Sequence, residues 1–348
     1  MDRKKLDTLR AKFATSVPGV SHHPDFRKAI ETIFAGTDRR PKPYEGVTSF
    51  IGTPLYLDAP ARENFGGLDV ALVGVPHDLG VTNRPGARFG PRAVRAVERI
   101  GPYHHVHKLL PLDAVRVGDV GDVPFRSRYD LAGGIEDIEK FFTRVADAGV
   151  VPIAVGGDHS ITYPILKVLG AKRPLGLLHI DAHCDTSGPL EGAKFHHGGP
   201  FRHAVLEGVL DPERTIQIGV RGGAEYLWEF SYVSGMTVIH AEEFAQLGVA
   251  KAVKKIRQVL GKGPAYISFD IDSLDPAFAP GTGTPEAGGL STREAMELVR
   301  GCAGLDIVGG DIVEVAPQYD ATTNTAQAAA QMLFELLAVI ALSRMKDR

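Results

Sequence analysis

The stretch Leu175-Gly176-Leu177-Leu178-His179-Ile180-Asp181-Ala182-His183-Cys184-Asp185 decides the fold. A short apolar run that breaks into carboxylates and imidazoles reads as a buried parallel strand whose C-terminal end opens on a polar site. Two further stretches have the same form: 151–155 runs into Gly156-Gly157-Asp158-His159, and 265–269 into Asp270-Ile271-Asp272. Outward from these, apolar runs at 70–75, 115–117, 215–220, 237–240 and 306–315 alternate with helical patterns that start at Pro91 and span 135–148, 249–260 and 292–301. Such alternation predicts an α/β fold: a single-domain, doubly wound parallel sheet with helices on both faces. Sheets of that kind bind ligands outside the carboxyl ends of their strands, where all three polar clusters fall.

Residues 1–66 mix charge, proline and glycine around one helix at 24–34, and are expected to form an arm on the body or on a neighbouring subunit. Residues 67–348 would then be the catalytic domain. The most apolar segment, 328–342, carries Glu335 and is short for a bilayer span, so it reads as a closing helix packed on the sheet. The chain has 348 residues, a net charge of −3 and no block of lysine or arginine. That balance argues against nucleic acid or an anionic membrane as partner and for a small molecule. Met1-Asp2-Arg3-Lys4-Lys5 leads into polar sequence without an apolar secretion core, and the cysteines, Cys184 and Cys302, give no disulfide framework. A cytoplasmic protein is expected.

In an extended segment, side chains two apart share a face, so Asp181, His183 and Asp185 converge, as do Asp270 and Asp272, while Cys184 and Ile271 point away. Carboxylates gathered in one pocket drift toward protonation unless cations neutralise them. Two divalent ions would match the charge. His159, Asp181, His183, Asp185, Asp270 and Asp272 are too few for two separate closed cages, so Asp181 and Asp270 are expected to bridge both ions. Carboxylate and imidazole without thiolate suit Mn2+ first, with Ni2+ as the alternative and iron behind it. Two ions on one water lower its pKa and supply hydroxide near neutral pH. An isolated Asp-x-His or Asp-x-Asp is usually a turn, a cap or a solvated strand end; three clusters at strand ends favour the metal reading. The stretch 280–289 lacks both the Lys-Ser/Thr ending of a phosphate loop and Rossmann spacing, and reads as a tight active-site loop.

Arg84-Pro85-Gly86-Ala87-Arg88-Phe89-Gly90-Pro91, Gly156-Gly157-Asp158-His159-Ser160, the Asp181 to Asp185 cluster, His197-Gly198, Asp270-Ile271-Asp272-Ser273-Leu274-Asp275-Pro276, the loop 279–286 and Glu314-Val315-Ala316-Pro317 complete a pattern. With them the chain resembles the ureohydrolases, the arginase and agmatinase group, from about Val70 to its C-terminus. The resemblance implies attack of water on a guanidinium carbon, releasing urea and an amine. It also implies a binuclear manganese centre and a trimeric or hexameric assembly. By position it implies His159, Asp181, Asp185 and Asp270 around one ion, and Asp181, His183, Asp270 and Asp272 around the other. Glu314 matches the glutamate that receives the guanidinium, and a carboxylate can bind that planar cation through paired hydrogen bonds. Its plainer reading is a salt bridge at a strand end. His197 matches a loop histidine suited to carrying a proton to the leaving amine, which with Asp185 and Glu314 makes the catalytic set. His196 beside it is an ambiguity. His179 shares the face of Asp181 but sits deeper and reads as a hydrogen-bonded core residue, and His104, His105 and His107 read as surface or pocket-rim groups.

Thr186-Ser187-Gly188-Pro189-Leu190-Glu191-Gly192 is unlike the polar loop of arginases, so agmatinases, guanidinobutyrases and guanidinopropionases are the nearer resemblance. Two positions depart from the pattern: Gly199, where relatives usually carry threonine, and His77, where an aromatic or aliphatic residue is usual. Tyr226, Trp228, Phe230 and Tyr232 recur at every second position. They read either as one packed face of a strand or loop, in the core or an interface, or as an aromatic wall in which Tyr226 and Trp228 contact a substituted guanidinium. The leading expectation is hydrolysis of a guanidino acid of the 4-guanidinobutyrate type, or of agmatine. The alternatives are a hydrolase of small guanidines or biguanides such as metformin, a silent subunit that supports an active paralogue in a hetero-oligomer, and a single-zinc deacetylase on the same fold.

Overall fold

The computed structural model describes residues 1–14, 21–34, 44–97 and 100–346; parts of the expected arm, 15–20 and 35–43, lie outside them. Eight strands form one parallel sheet: β1 (Val70–Val75), β2 (Val117–Asp122), β3 (Val151–Gly156), β4 (Leu175–Ile180), β5 (Leu210–Val220), β6 (Thr237–His240), β7 (Ala265–Asp270) and β8 (Ile307–Val313). Their order across the sheet is β2-β1-β3-β8-β7-β4-β5-β6. The chain crosses from β3 to β4 past a gap that β7 and β8 fill later, and the doubly wound arrangement opens a crevice at that crossover.

Both faces of the sheet are covered, which is why the central strands are apolar throughout rather than alternating. Helices Leu131–Asp147, Thr162–Leu169 and Pro200–Leu206 bury Phe142, Leu166 and Phe201 on one face. Helices Gly90–Arg95, Val249–Leu260, Thr292–Arg300 and Asn324–Lys346 bury Val94, Ile256, Leu298 and Leu333 on the other. Each such side chain contributes about 1.5–3 kcal/mol by leaving water. The segment Phe50–Gly52 also joins the core, with Phe50 fully buried and its backbone N–H donating to Asp119.

The closing helix runs from Asn324 to Lys346, longer than its apolar stretch, and is long enough to span a bilayer by length and composition. Packing decides its role: 83% of its apolar window is buried within the protein. Glu335 in its middle is held by Arg300, with Nη2 at 2.6 Å and Nε at 2.8 Å, by Gln331 Nε2 at 2.9 Å and by His104 Nε2 at 2.6 Å. His104 is therefore a core residue, 3% exposed, and not the surface group its polar surroundings in sequence suggested. The aromatic run folds into two short helical pieces, Glu225–Leu227 and Glu229–Val233, with Trp228 between them, so its four aromatics do not all share one face.

Candidate active site

Four adjacent strands in the middle of the sheet, β3, β8, β7 and β4, end in the predicted polar residues. His159 follows β3, Glu314 follows β8, Asp270 ends β7 with Asp272 just beyond, and Asp181, His183 and Asp185 follow β4. Asp185 (φ 50°) and Glu314 (φ 64°) both adopt the left-handed backbone region that non-glycine residues avoid. Strain of that kind persists where surrounding structure holds a side chain in a required direction.

A chain of hydrogen bonds fixes the tautomer of His159. Ser268 Oγ donates to Asp311 Oδ1 at 2.7 Å, so it accepts from His159 Nε2–H at 2.8 Å. The neutral ring then presents its Nδ1 lone pair, and three carboxylate oxygens face that same atom: Asp181 Oδ2 at 3.1 Å, Asp185 Oδ2 at 2.9 Å and Asp270 Oδ2 at 3.1 Å. Nδ1 is buried and makes no hydrogen bond of acceptable geometry with any of them. Three carboxylate oxygens around one bare nitrogen, on a histidine oriented from behind by a hydroxyl and a carboxylate, fit a divalent cation.

A second point lies beside it. Asp181 Oδ1 and Asp272 Oδ2 stand 3.5 and 3.2 Å from His183 Nδ1, and these three residues can together hold a metal ion. Asp181 thus contributes one oxygen to each point. The other lone pairs are directed by the backbone: Asp181 Oδ1 accepts from His183 N–H at 2.6 Å, Asp270 Oδ1 from Asp272 N–H at 2.8 Å, and Asp272 Oδ1 from Ala182 N–H at 3.2 Å. Burial and the repulsion of Asp272 and Asp181 hold the Asp270 carboxyl well above its ordinary pKa, the behaviour expected of clustered acids without cations. Asp181 moves the other way, because its contacts with His179, His159 and His183 outweigh burial. His179 is no free ligand: Nε2 donates to Asp181 Oδ2 at 2.7 Å and Nδ1 accepts from Gln217 Nε2 at 2.9 Å. Its expected core role agrees with these bonds.

Glu314 and His197 form the next layer. Glu314 Oε1 accepts from His159 N–H and from His197 Nδ1–H, both at 2.9 Å, while Oε2 is buried without a partner. Burial raises the Glu314 pKa despite His197. Burial alone would lower that of His197, but Glu314 outweighs it and pushes His197 up to about 9. Both the salt-bridge reading of Glu314 and a vacant acceptor for a guanidinium are therefore present, on different oxygens.

A cavity of about 400 Å³ is lined by His183, Asp185, His197, Asp270, Asp272 and Thr284, with Tyr226, Leu227 and Trp228 on its wall. Of the four aromatics, Tyr226 and Trp228 face it; Phe230 carries the guanidinium of Arg202 at 5.0 Å and Tyr232 donates to His240 Nε2 at 2.6 Å. The loop expected at 280–289 reaches the site: Thr284 Oγ1 donates to Asp272 Oδ2 at 3.1 Å. Arg84 anchors that loop through Thr282 O at 2.8 Å and Gly283 O at 3.2 Å. His196 is a latch, donating Nε2–H to Gly188 O at 2.7 Å. The departure at Gly199 follows from it, since a Cβ there would lie 3.0 Å from Ser187 O and 3.3 Å from the His196 ring.

Several contributors were not foreseen. Ser268 lies two residues before Asp270 and shares its face, a period-two signal that could have marked it; Asp311 on β8 carries no such mark. Arg221 is the other. Its guanidinium lines the cavity but is consumed by the carbonyls of Gly219, Asp272, Ser273, Glu286 and Ala287.

Residues 68–339 match the family model described as "Arginase: Arginase family". Guanidinopropionase of Pseudomonas aeruginosa is 48% identical over 309 residues, covering 87% of this chain and 97% of the relative. Mitochondrial agmatinase of Gallus gallus is 46% identical over 308 residues, covering 86% and 89%. Among solved structures, proclavaminate amidino hydrolase from Streptomyces clavuligerus superposes with a TM-score of 0.82 at 36% identity, covering 87% of this chain and 100% of that one. The chain belongs to the arginase family, as the motif pattern implied.

Proposed function

We propose that this arginase-family protein is a binuclear-metal amidinohydrolase that cleaves a guanidino compound to urea and an amine. The reaction class, hydrolysis of a guanidino carbon–nitrogen bond, is that of its relatives and of the chain. The leading substrates are a guanidino acid of the 4-guanidinobutyrate type and agmatine. The observation that carries the reading is the ring of three carboxylate oxygens, from Asp181, Asp185 and Asp270, each 2.9–3.1 Å from the bare His159 Nδ1, beside a second group of Asp181, His183 and Asp272.

His159, Asp181, Asp185 and Asp270 would hold one ion, and Asp181, His183, Asp270 and Asp272 the other, with Mn2+ first and Ni2+ as the alternative. Bound there, two divalent ions supply a nucleophile from water near neutral pH. The protein's own residues do the rest. Glu314 offers Oε2 to the guanidinium, which fixes the central carbon over the ligand cluster. His197 lines the cavity and holds a proton on Nδ1 against Glu314, which suits a group that returns a proton to the departing amine. Trp228 and Tyr226 bound the space left for the substrate's tail.

One observation favours the second reading, small guanidines or biguanides. Arg221 is the one arginine or lysine lining the cavity among the described residues, and its donors are already used by backbone carbonyls. A carboxylate tail would meet hydroxyls and backbone there rather than a free cation, whereas an alkylated guanidinium would meet aromatic faces. The assembly is taken to be a cytoplasmic homo-oligomer, a trimer or hexamer, or a hetero-oligomer with a paralogous subunit. Urea release by protein loaded separately with Mn2+ and Ni2+ decides between the readings, across agmatine, 4-guanidinobutyrate, 3-guanidinopropionate, arginine, guanidine and metformin. A preference for the guanidino acids or agmatine supports the first; a preference for guanidine or metformin supports the second. No urea from any of them, with two ions bound per chain, sinks both.

A further inference from the structure

His197 is 8% exposed, so a proton on its ring needs a way into the cavity. Its two nitrogens are not equivalent. Nδ1 faces the Glu314 carboxylate at 2.9 Å and must carry hydrogen. Nε2 faces two groups of one residue, Thr82: the hydroxyl Oγ1 at 2.7 Å and the backbone N–H at 3.2 Å. The amide can only donate and suits the neutral ring. The hydroxyl can accept from the protonated ring or donate to the neutral one, so it is the neighbour that fits both states.

The loop that carries Thr82 is clamped to this histidine. His197 N–H donates to Gly80 O at 2.9 Å, and Gly80 N–H donates to Asp158 Oδ2 at 2.7 Å. Gly80 permits the approach, since a Cβ there would lie 3.2 Å from the His196 Cα and 3.1 Å from Asp158 Oδ2. Both residues line the cavity, but Thr82 is exposed and His197 is buried. The pair has a buried basic end and a wet hydroxyl end.

We propose that Thr82 is a proton relay between His197 and the leaving nitrogen. The Nε2–H bond breaks as a new O–H bond forms on Thr82. The original Thr82 O–H bond breaks as an N–H bond forms on the leaving nitrogen, whose bond to the guanidinium carbon breaks. His197 ends neutral, accepting from the Thr82 N–H, and Thr82 ends unchanged. This inference rests on the assignment of His197 as the proton carrier of the amidinohydrolase reaction.

The test uses Thr82→Val, which keeps shape and the backbone N–H but removes the hydroxyl, and Thr82→Ser, which keeps the hydroxyl. Metal-loaded proteins are compared by urea release, and 15N-labelled histidine spectra of the same proteins read the protonation and hydrogen bonding of His197 Nε2. General acid–base groups contribute about 10²–10⁴-fold, so loss of the relay should lower kcat roughly 10- to 100-fold in the valine protein, with KM nearly unchanged. The serine protein should recover most of it. In the spectra, the Nε2 signal should move in Thr82→Val and return in Thr82→Ser. A valine protein with the wild-type kcat overturns the relay while urea release by the wild type leaves the reaction assignment standing. If the wild type releases no urea, the reaction assignment has failed, and an Nε2 signal identical in all three proteins overturns the Thr82–His197 link on its own. If Thr82→Val does not fold, the serine protein decides: loss of kcat there, with metal retained, overturns the relay.

Discussion

Replacing Glu314 by glutamine should remove activity without costing stability. Glu314 is 1% exposed, Oε1 already accepts two hydrogen bonds, and Oε2 has no partner, so the fold gains nothing from the second oxygen. Burial raises its pKa above the ordinary 4.5. An acid with a raised folded pKa contributes a destabilising term that is absent below its unfolded pKa and appears as pH rises through and above it. Glutamine removes that term and keeps an acceptor for the His159 and His197 donors. It also removes the charge that pushes His197 up to about 9, so the two effects offset and the net change is small, about 1 kcal/mol or less in metal-free protein. Against the substrate the loss is larger. A hydrogen bond to a charged group is worth roughly 1.5–3 kcal/mol, which predicts a fall of about 10- to 150-fold in kcat/KM at 1.4 kcal/mol per tenfold. The assay is urea release by manganese-loaded wild type and Glu314→Gln on the preferred guanidino substrate, with thermal unfolding of both metal-free proteins. A kcat/KM within twofold of wild type refutes the guanidinium role. A Tm lowered by several degrees refutes the separation of function from stability, and would make Glu314 a structural residue.

Asp272→Ala should lower bound metal from two ions per chain to about one, measured by elemental analysis after dialysis; two retained ions would remove Asp272 from the ligand set. Glu335→Gln breaks a buried network around Arg300 and His104, at a cost of about 3–5 kcal/mol, and should lower Tm by roughly 4–7 °C without changing KM. Hydrogen bonds from His104 and Arg300 overcome burial and hold the Glu335 pKa at about 2, against an ordinary 4.5, so its contribution is present above about 4.5 and fades as pH falls toward 2. Wild-type stability should therefore drop by on the order of 3 kcal/mol more than that of Glu335→Gln over this window, and parallel unfolding curves in the two proteins would contradict it. Trp228→Ala should raise KM for the most alkylated substrate more than for guanidine itself; equal changes for both would mean that the wall does not contact the tail.

The sheet could be read from sequence because parallel strands buried on both faces are continuous apolar runs, a local signal independent of partners. β1, β4 and β6 match the predicted runs residue for residue, and β7 differs by one residue at its end. β2 was misplaced: the run at 115–117 reaches only its first residue, and the strand itself, Val117–Asp122, repeats Val-Gly-Asp. Asp119 survives there fully buried because Arg95 pairs with it at 2.8–2.9 Å and the Phe50 N–H caps it, contacts set by residues 24 and 69 positions away. A strand at the aromatic run is excluded for a related reason. A spacing of two in a short segment fits a strand, but 225–233 closes into two helical pieces, and only Tyr226 and Trp228 of the four turn to the cavity.

The same distinction divides the site. The polar groups at strand ends were legible because the period of a strand is two and the sheet fixes where its ends meet; spacing alone brings Asp181, His183 and Asp185 near Asp270 and Asp272. What orients them was not legible. Ser268 and Asp311 set the His159 tautomer from neighbouring strands, Thr82 meets His197 across 115 residues of chain, and Glu335 binds His104 across 231. None of these pairs has a local period, because a single buried hydrogen bond constrains two positions and leaves the residues between them free. Composition favours the opposite error: a cluster such as His104, His105 and His107 looks like a surface group until a buried carboxylate on the closing helix is shown to need one of them. A buried carboxylate without donors is costly, so each one implies partners, and the useful reading of Glu314 and Glu335 in an apolar context is a demand for partners elsewhere in the chain. Glu335 has that demand met fourfold by protein. Glu314 has it met on one oxygen only, and that difference is what supports the proposal that it receives a cationic substrate.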